Sequence, residues 1–123
     1  MSSGPALKAH GMQVMQEYTH AQYHEGEYGN ALYNLPGDQT LSLHTREFLP
    51  YVQVELTVSE HTYNSLTFNR RARTIRISNE TSAWDIPLFY VGDSNDRRGF
   101  IIISFNIEDP HVLERVLRFF MEL

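Results

Sequence analysis

The chain has 123 residues, enough for one domain, and its 41% hydrophobic and 20% charged content excludes an extended disordered region. A formal net charge of −5 at pH 7 speaks against a generally basic nucleic-acid binder. The absence of cysteine rules out a disulfide framework and a thiolate metal site.

From its start, the chain shows neither the basic opening nor the apolar stretch of a secretory signal within residues 1–20, so an intracellular location is expected. No apolar run, including those at residues 101–103 and 119–121, approaches the roughly 20 residues of a membrane span.

Leu7, Gly11, Val14, Met15 and Tyr18 recur at three- and four-residue spacing and predict an N-terminal helix over residues 1–25. Ser3 or Gly4 caps it and Pro5 sits in its first turn. Gly11 interrupts the stripe at a penalty of about 1 kcal/mol relative to alanine. Residues 26–40 are turn-rich yet carry Tyr28, Leu32, Tyr33 and Leu35, which suggests an aromatic strap lying on the domain.

Strand-like runs follow. Leu41, Leu43 and Thr45 alternate with polar residues. Val52, Val54, Leu56 and Val58 alternate with Gln53, Glu55 and Thr57, the clearest half-buried strand in the chain. Leu66 and Phe68, then Ile75 and Ile77, mark two more. The runs 86–91 and 100–107 are more continuously apolar, as central strands are. Pro87 belongs at a strand start or edge, because it has no N–H to give the ladder. Asp109 and Pro110 open a C-terminal helix whose stripe is Val112, Leu113, Val116, Leu117 and Phe120.

The order predicts a single α+β domain over residues 1–123. It has an N-terminal helix (1–25), the strap (26–40), an antiparallel meander of about six strands (41–107), and a C-terminal helix (109–123) packed on the sheet. The sheet is expected to be strongly bent or partly closed as a barrel. In element order alone this resembles a pleckstrin-homology-like barrel, with six strands counted where that fold has seven.

Charge is unevenly placed along this order. Residues 1–69 hold two bases, Lys8 and Arg46, against seven acids, whereas residues 70–123 hold eight arginines against eight acids. Consecutive pairing of the strands would bring turn 69–73 beside turn 92–99. That gathers Arg70, Arg71, Arg73, Arg97 and Arg98 at one end of the sheet, joined by the corner Phe48–Tyr51. Glu60, Glu80, Asp85, Glu108 and Asp109 would lie at the other end with His61, His111 and Trp84.

Five guanidiniums in one region suit a carboxylate- or phosphate-bearing ligand, and a lone tryptophan suits an interface anchor. The preferred reading is therefore a small non-enzymatic protein–protein interaction module or adaptor, working in a complex or with further copies of itself. Its binding residues are Arg70, Arg71, Arg73, Arg97, Arg98 and Trp84. The alternative is an anionic-ligand binder using the same arginines for a phosphate-rich small molecule, a phospholipid headgroup or nucleic acid.

A third reading, a His-dependent hydrolase, rests on His61 and His111 beside Glu60 and Asp109. No catalytic motif, cofactor fingerprint or metal-ligand pattern is found. His20 and His24 share a spacing of four on the predicted first helix, but the H-E-x-x-H pattern is missing. The sequon Asn79-Glu80-Thr81 is read as a chance match.

Overall fold

The computed structural model describes residues 3–46 and 48–123. Helix α1 spans Gly4–Met15, and the Ser3 side chain caps it by accepting from the Ala6 N–H at 3.1 Å. Its buried stripe is Gly4, Leu7, Gly11, Val14 and Met15. Gly11 is explained by proximity. A Cβ there would lie 3.0 Å from Leu43 Cδ1 and 3.4 Å from methyl carbons of both Leu113 and Leu117. The glycine thus lets α1 settle against the sheet and the C-terminal helix at once.

The helix stops ten residues before the expected Glu25, and residues 1–2 of the expected range lie outside the described residues. Past Met15 no buried residue continues the stripe. Gln22–Glu25 instead forms an edge strand, β1, paired with β2 (Ala31–Leu35). The predicted strap therefore contains β2 and the start of β3. Ala31 and Tyr33 are buried in β2, and the turn Pro36–Asp38 leads into β3 (Gln39–His44). That turn holds Gly37 at φ 76°, a left-handed conformation that suits glycine.

Strand β4 (Val52–Ser59) has the predicted alternation, with Val52, Val54, Leu56 and Val58 all buried. A short helix, α2 (Glu60–Asn64), follows, capped by Ser59, whose Oγ accepts from the Thr62 N–H. Strands β5 (Thr67–Asn69), β6 (Thr74–Ser78) and β7 (Ala83–Pro87) form a small sheet of their own. Strands β8 (Tyr90–Asp93) and β9 (Phe100–Ile107) return to the main sheet, and α3 (Pro110–Met121) closes the fold. Asp109 caps α3 by accepting from the His111 and Val112 N–H groups at 2.7 and 3.2 Å.

The architecture is α+β, with a six-stranded antiparallel sheet in the order β1-β2-β3-β4-β9-β8 and a three-stranded sheet β5-β6-β7. Pairing is consecutive from β1 to β4 and then departs from a simple meander, because β4 pairs with β9 over eight residues, Val52↔Ile107 to Ser59↔Phe100. The three-residue β5 offers little to pair with. β9, in contrast, matches β4 in length and sets Ile101, Ile103, Phe105 and Ile107 beside Val58, Leu56, Val54 and Val52. Length and apolar match thus outrank chain order.

The run 86–91 is not one strand. Pro87 ends β7, the chain turns at Leu88–Phe89, and β8 begins in the other sheet. The main sheet is open, with β1 and β8 as its edges, and does not close into a barrel.

The main sheet's inward face, α1 and α3 enclose the core, to which Leu113, Val116 and Leu117 contribute from α3. The buried Ile75, Ile77 and Ile86 join the small sheet to the same cluster. No helix among the described residues is long and apolar enough to cross a membrane.

Candidate functional site

The turn carrying Arg70, Arg71 and Arg73 joins β5 to β6. Asn69 shapes it by accepting from the Ala72 N–H at 2.9 Å, and Arg73 takes a left-handed φ of 57°. The Arg73 carbonyl accepts from the Leu88 N–H at 3.0 Å. That bond fixes the arginine turn beside the segment where the chain passes from the small sheet to the main one. All three arginines are exposed, and none forms an ion pair with any described residue.

Arg70 and Arg73 line a cleft of about 710 Å³ between β8, β5 and α2. Tyr63, Phe68, Leu88, Val91 and Ile101 supply its apolar surface, with Glu60 and Asp93 also on its wall. The Tyr63 and Phe68 rings pack with centroids 5.0 Å apart. Arg98 borders an adjoining hollow that shares Glu60, Asp93 and Ile101. Arg97 lies 3.8 Å over the Phe100 ring, and Arg71 lines neither depression. The five arginines are therefore divided: Arg70 and Arg73 together, Arg98 next to them, Arg97 stacked and Arg71 turned elsewhere.

The separation into an arginine end and an acidic end does not hold. Glu60, expected at the far end, shares the cleft with Arg70 and Arg73, because the β4–β9 pairing carries α2 toward β8. Asp85 pairs with Arg76 at 3.1 Å across β6 and β7. The corner Leu49–Tyr51 lies against the start of α1, where a Cβ on Gly4 would lie 2.7 Å from the Tyr51 carbonyl oxygen. Its Leu49 and Tyr51 line a separate hollow with Tyr28 and Phe89.

Trp84 lines a second cleft, of about 910 Å³, between the β6–β7 hairpin and α3. This cleft shares no lining residue with the first. The Arg115 guanidinium lies 4.5 Å over the indole, so Trp84 helps hold the small sheet against α3. Asn79, the first residue of the sequon, closes the β6–β7 hairpin. Its Oδ1 accepts from the Thr81 and Ser82 N–H groups, each at 2.9 Å.

The histidines are dispersed. His20 follows α1 and meets Tyr18 edge-on, while His24 lies in β1 with Nε2 2.8 Å from Asn34 Nδ2. They share no helix face. His61 and His111 line different clefts. Among the described residues, no group of three or more His, Cys, Asp or Glu side chains is placed to hold a metal ion.

A grouping that sequence reasoning missed lies on the outward face of the main sheet. His44 Nε2 is 2.6 Å from Ser42 Oγ and 3.5 Å from Glu55 Oε2. Burial pushes the His44 imidazole below its ordinary value, opposed by the Glu55 carboxylate. Both contacts fall on the same ring nitrogen, so the three side chains do not make a serine–histidine–carboxylate relay, which uses both nitrogens. Their positions on the polar phase of two strands were readable, but the β3–β4 register that joins them was not.

The free edge of β8 was also missed. Ser94 N–H donates to the Phe100 carbonyl at 2.9 Å, which fixes the hydrogen-bonding phase of the β8–β9 ladder. By alternation, the N–H and C=O groups of Val91 and Asp93 point away from β9, and both residues line the cleft that holds Arg70 and Arg73. The chain matches no protein-family model, no curated protein and no solved structure, so the functional reading rests on these residues alone.

Proposed function

We propose that the protein is a non-enzymatic interaction module that docks a protein partner in the cleft between β8, β5 and α2. The observation that carries this reading is the pairing of exposed guanidiniums without carboxylate partners among the described residues, Arg70 and Arg73, with an open cleft of mixed polar and apolar lining that includes Tyr63, Phe68 and Val91. Interfaces commonly combine arginine and aromatic contacts around a desolvated centre. Trp84 belongs to a different cleft and is committed to Arg115, so it is not part of this surface.

A phosphate-rich ligand would also be drawn to the arginine turn. Glu60 and Asp93, which line the same cleft, disfavour a polyanion lying along it, which favours the protein partner. An assembly that includes further copies of the chain is compatible with this docking surface.

The test is capture of partners on immobilised wild-type protein and on the Arg70→Glu plus Arg73→Glu variant, with mass spectrometry of what is retained. An Arg115→Glu protein, altered in the other cleft, serves as the control. The reading requires partners that are retained by wild type and control and lost from the double variant. Equal retention by all three overturns it.

A further inference from the structure

We infer that the partner enters the cleft as an extended segment that adds a strand to the free edge of β8, with acidic side chains at its C-terminal end facing Arg70 and Arg73. This rests on the docking reading above and specifies its occupant.

Three features converge on that occupant. The first is the unpaired backbone. Val91 and Asp93 direct their N–H and C=O groups away from β9, and no described strand pairs with β8 on that side. Such an edge is a template for an incoming chain, which gains main-chain hydrogen bonds irrespective of its sequence.

The second is the shape of the cleft beside that edge. β5 and α2 contribute Phe68 and Tyr63 to the lining of the same cleft as Val91. On β8 itself, the Tyr90 ring lies across Gly92, where any Cβ would collide with the tyrosine hydroxyl. Glycine is therefore required at position 92 for the tyrosine to lie along the strand. The cleft is bounded by protein on the side opposite β8, which suits one extended chain better than a second folded domain.

The third is a gradient of charge along β8. Arg73 is bonded through its carbonyl to Leu88, two residues before Tyr90, so the arginine turn stands at the Tyr90 end. Asp93 and Glu60 occupy the other end, where Arg98 offsets them. Every ladder in both sheets is antiparallel. An added strand that continues this pattern runs from the Asp93 end to the Tyr90 end. Its C-terminal residues then meet Arg70 and Arg73, which favour carboxylates there.

The experiment uses the full chain and a fluorescently labelled synthetic peptide of alternating threonine and valine with a pair of glutamates at its C-terminus. A second peptide carries the glutamates at its N-terminus. Anisotropy should show the first binding at least tenfold more tightly than the second. On binding, the Val91 and Asp93 amides should gain protection from hydrogen exchange. Val91→Pro removes an outward N–H without touching the β8–β9 ladder, and should weaken the peptide at least tenfold.

The inference fails if the two peptides bind alike, or if the Val91 and Asp93 amides stay unprotected in the complex. It also fails if those amides are already protected in a dimer detected by light scattering, since the occupant is then a second copy. Should Val91→Pro retain the partners captured by wild type while Arg70→Glu plus Arg73→Glu loses them, the docking reading stands and strand addition does not. The exchange measurement on wild-type protein decides the matter if Val91→Pro fails to fold.

Discussion

Arg118 and the arginines of the β5–β6 turn place the same side chain in opposite settings. Arg118 donates to Glu17 at 2.8 Å, to the Tyr18 hydroxyl at 3.0 Å and to Glu114 at 3.0 Å. Those bonds tie the segment after α1 to α3, and they raise the Arg118 pKa, with the Glu17 bond as the largest cause. The same contact with Arg118 holds the Glu114 carboxyl below its ordinary value. Arg70, Arg71 and Arg73 have no carboxylate partner among the described residues. One guanidinium is used up in holding two helical regions together, and the others leave their donors for a ligand. Stability and binding should therefore respond to different arginines.

The largest effect should come from reversing the unpaired ones. Arg70→Glu plus Arg73→Glu is expected to lower affinity for the captured partner by about a hundredfold, as lost charge pairing at an interface commonly does. The thermal midpoint should stay where it is, because no ion pair or side-chain hydrogen bond among the described residues is removed. A large fall in the midpoint would show that the turn arginines are structural after all, and would break the contrast.

Arg118→Ala should do the reverse. Losing its charge-assisted bonds is expected to destabilise the fold by about 1–2 kcal/mol, kept low because solvent reaches the side chain. Denaturant titration measures that change, and partner affinity should be unaltered.

His44 gives a smaller, pH-dependent effect. Burial holds its imidazole below the ordinary 6.5, so the unfolded chain takes up a proton that the folded protein resists. Stability from this source is full above 6.5 and is lost as pH falls below it toward the lowered folded value. His44→Gln should flatten the decline in the denaturant midpoint over that window. An undiminished decline would place its origin in another group.

The smallest effect belongs to Arg76. Its pair with Asp85 is solvent-exposed on both sides, so Arg76→Ala should leave the thermal midpoint within error.

Much of the fold could be read from local pattern. The alternation of Val52–Val58 and the stripe and Asp109 cap of α3 depend on neighbours a few residues apart, and the structure has them as expected save that Val112 is half-buried and Met121 joins the buried face. The end of α1 is not legible in the sequence, because Tyr18 prolongs the apolar spacing, whereas residues 22–25 take their ladder partners from β2, a strand hidden in the strap. Of the candidate site, the sequence supplied the arginines. It supplied neither Glu60 beside them nor the β8 edge, because both follow from β9 pairing with β4 across some forty intervening residues.

The sequence by itself determined the start of α1, the strands β4 and β9, the helix α3 with its cap, and the supply of arginines. Each is set by side-chain periodicity, caps and turn residues acting over a few positions. Only the tertiary structure decided which arginines have partners and which strand edge is open. The reason is physical: strand partners are chosen by matching length and apolar faces across the whole chain. That choice, made between β4 and β9, brings α2 with Glu60 toward β8 and leaves β8 at the edge of the sheet.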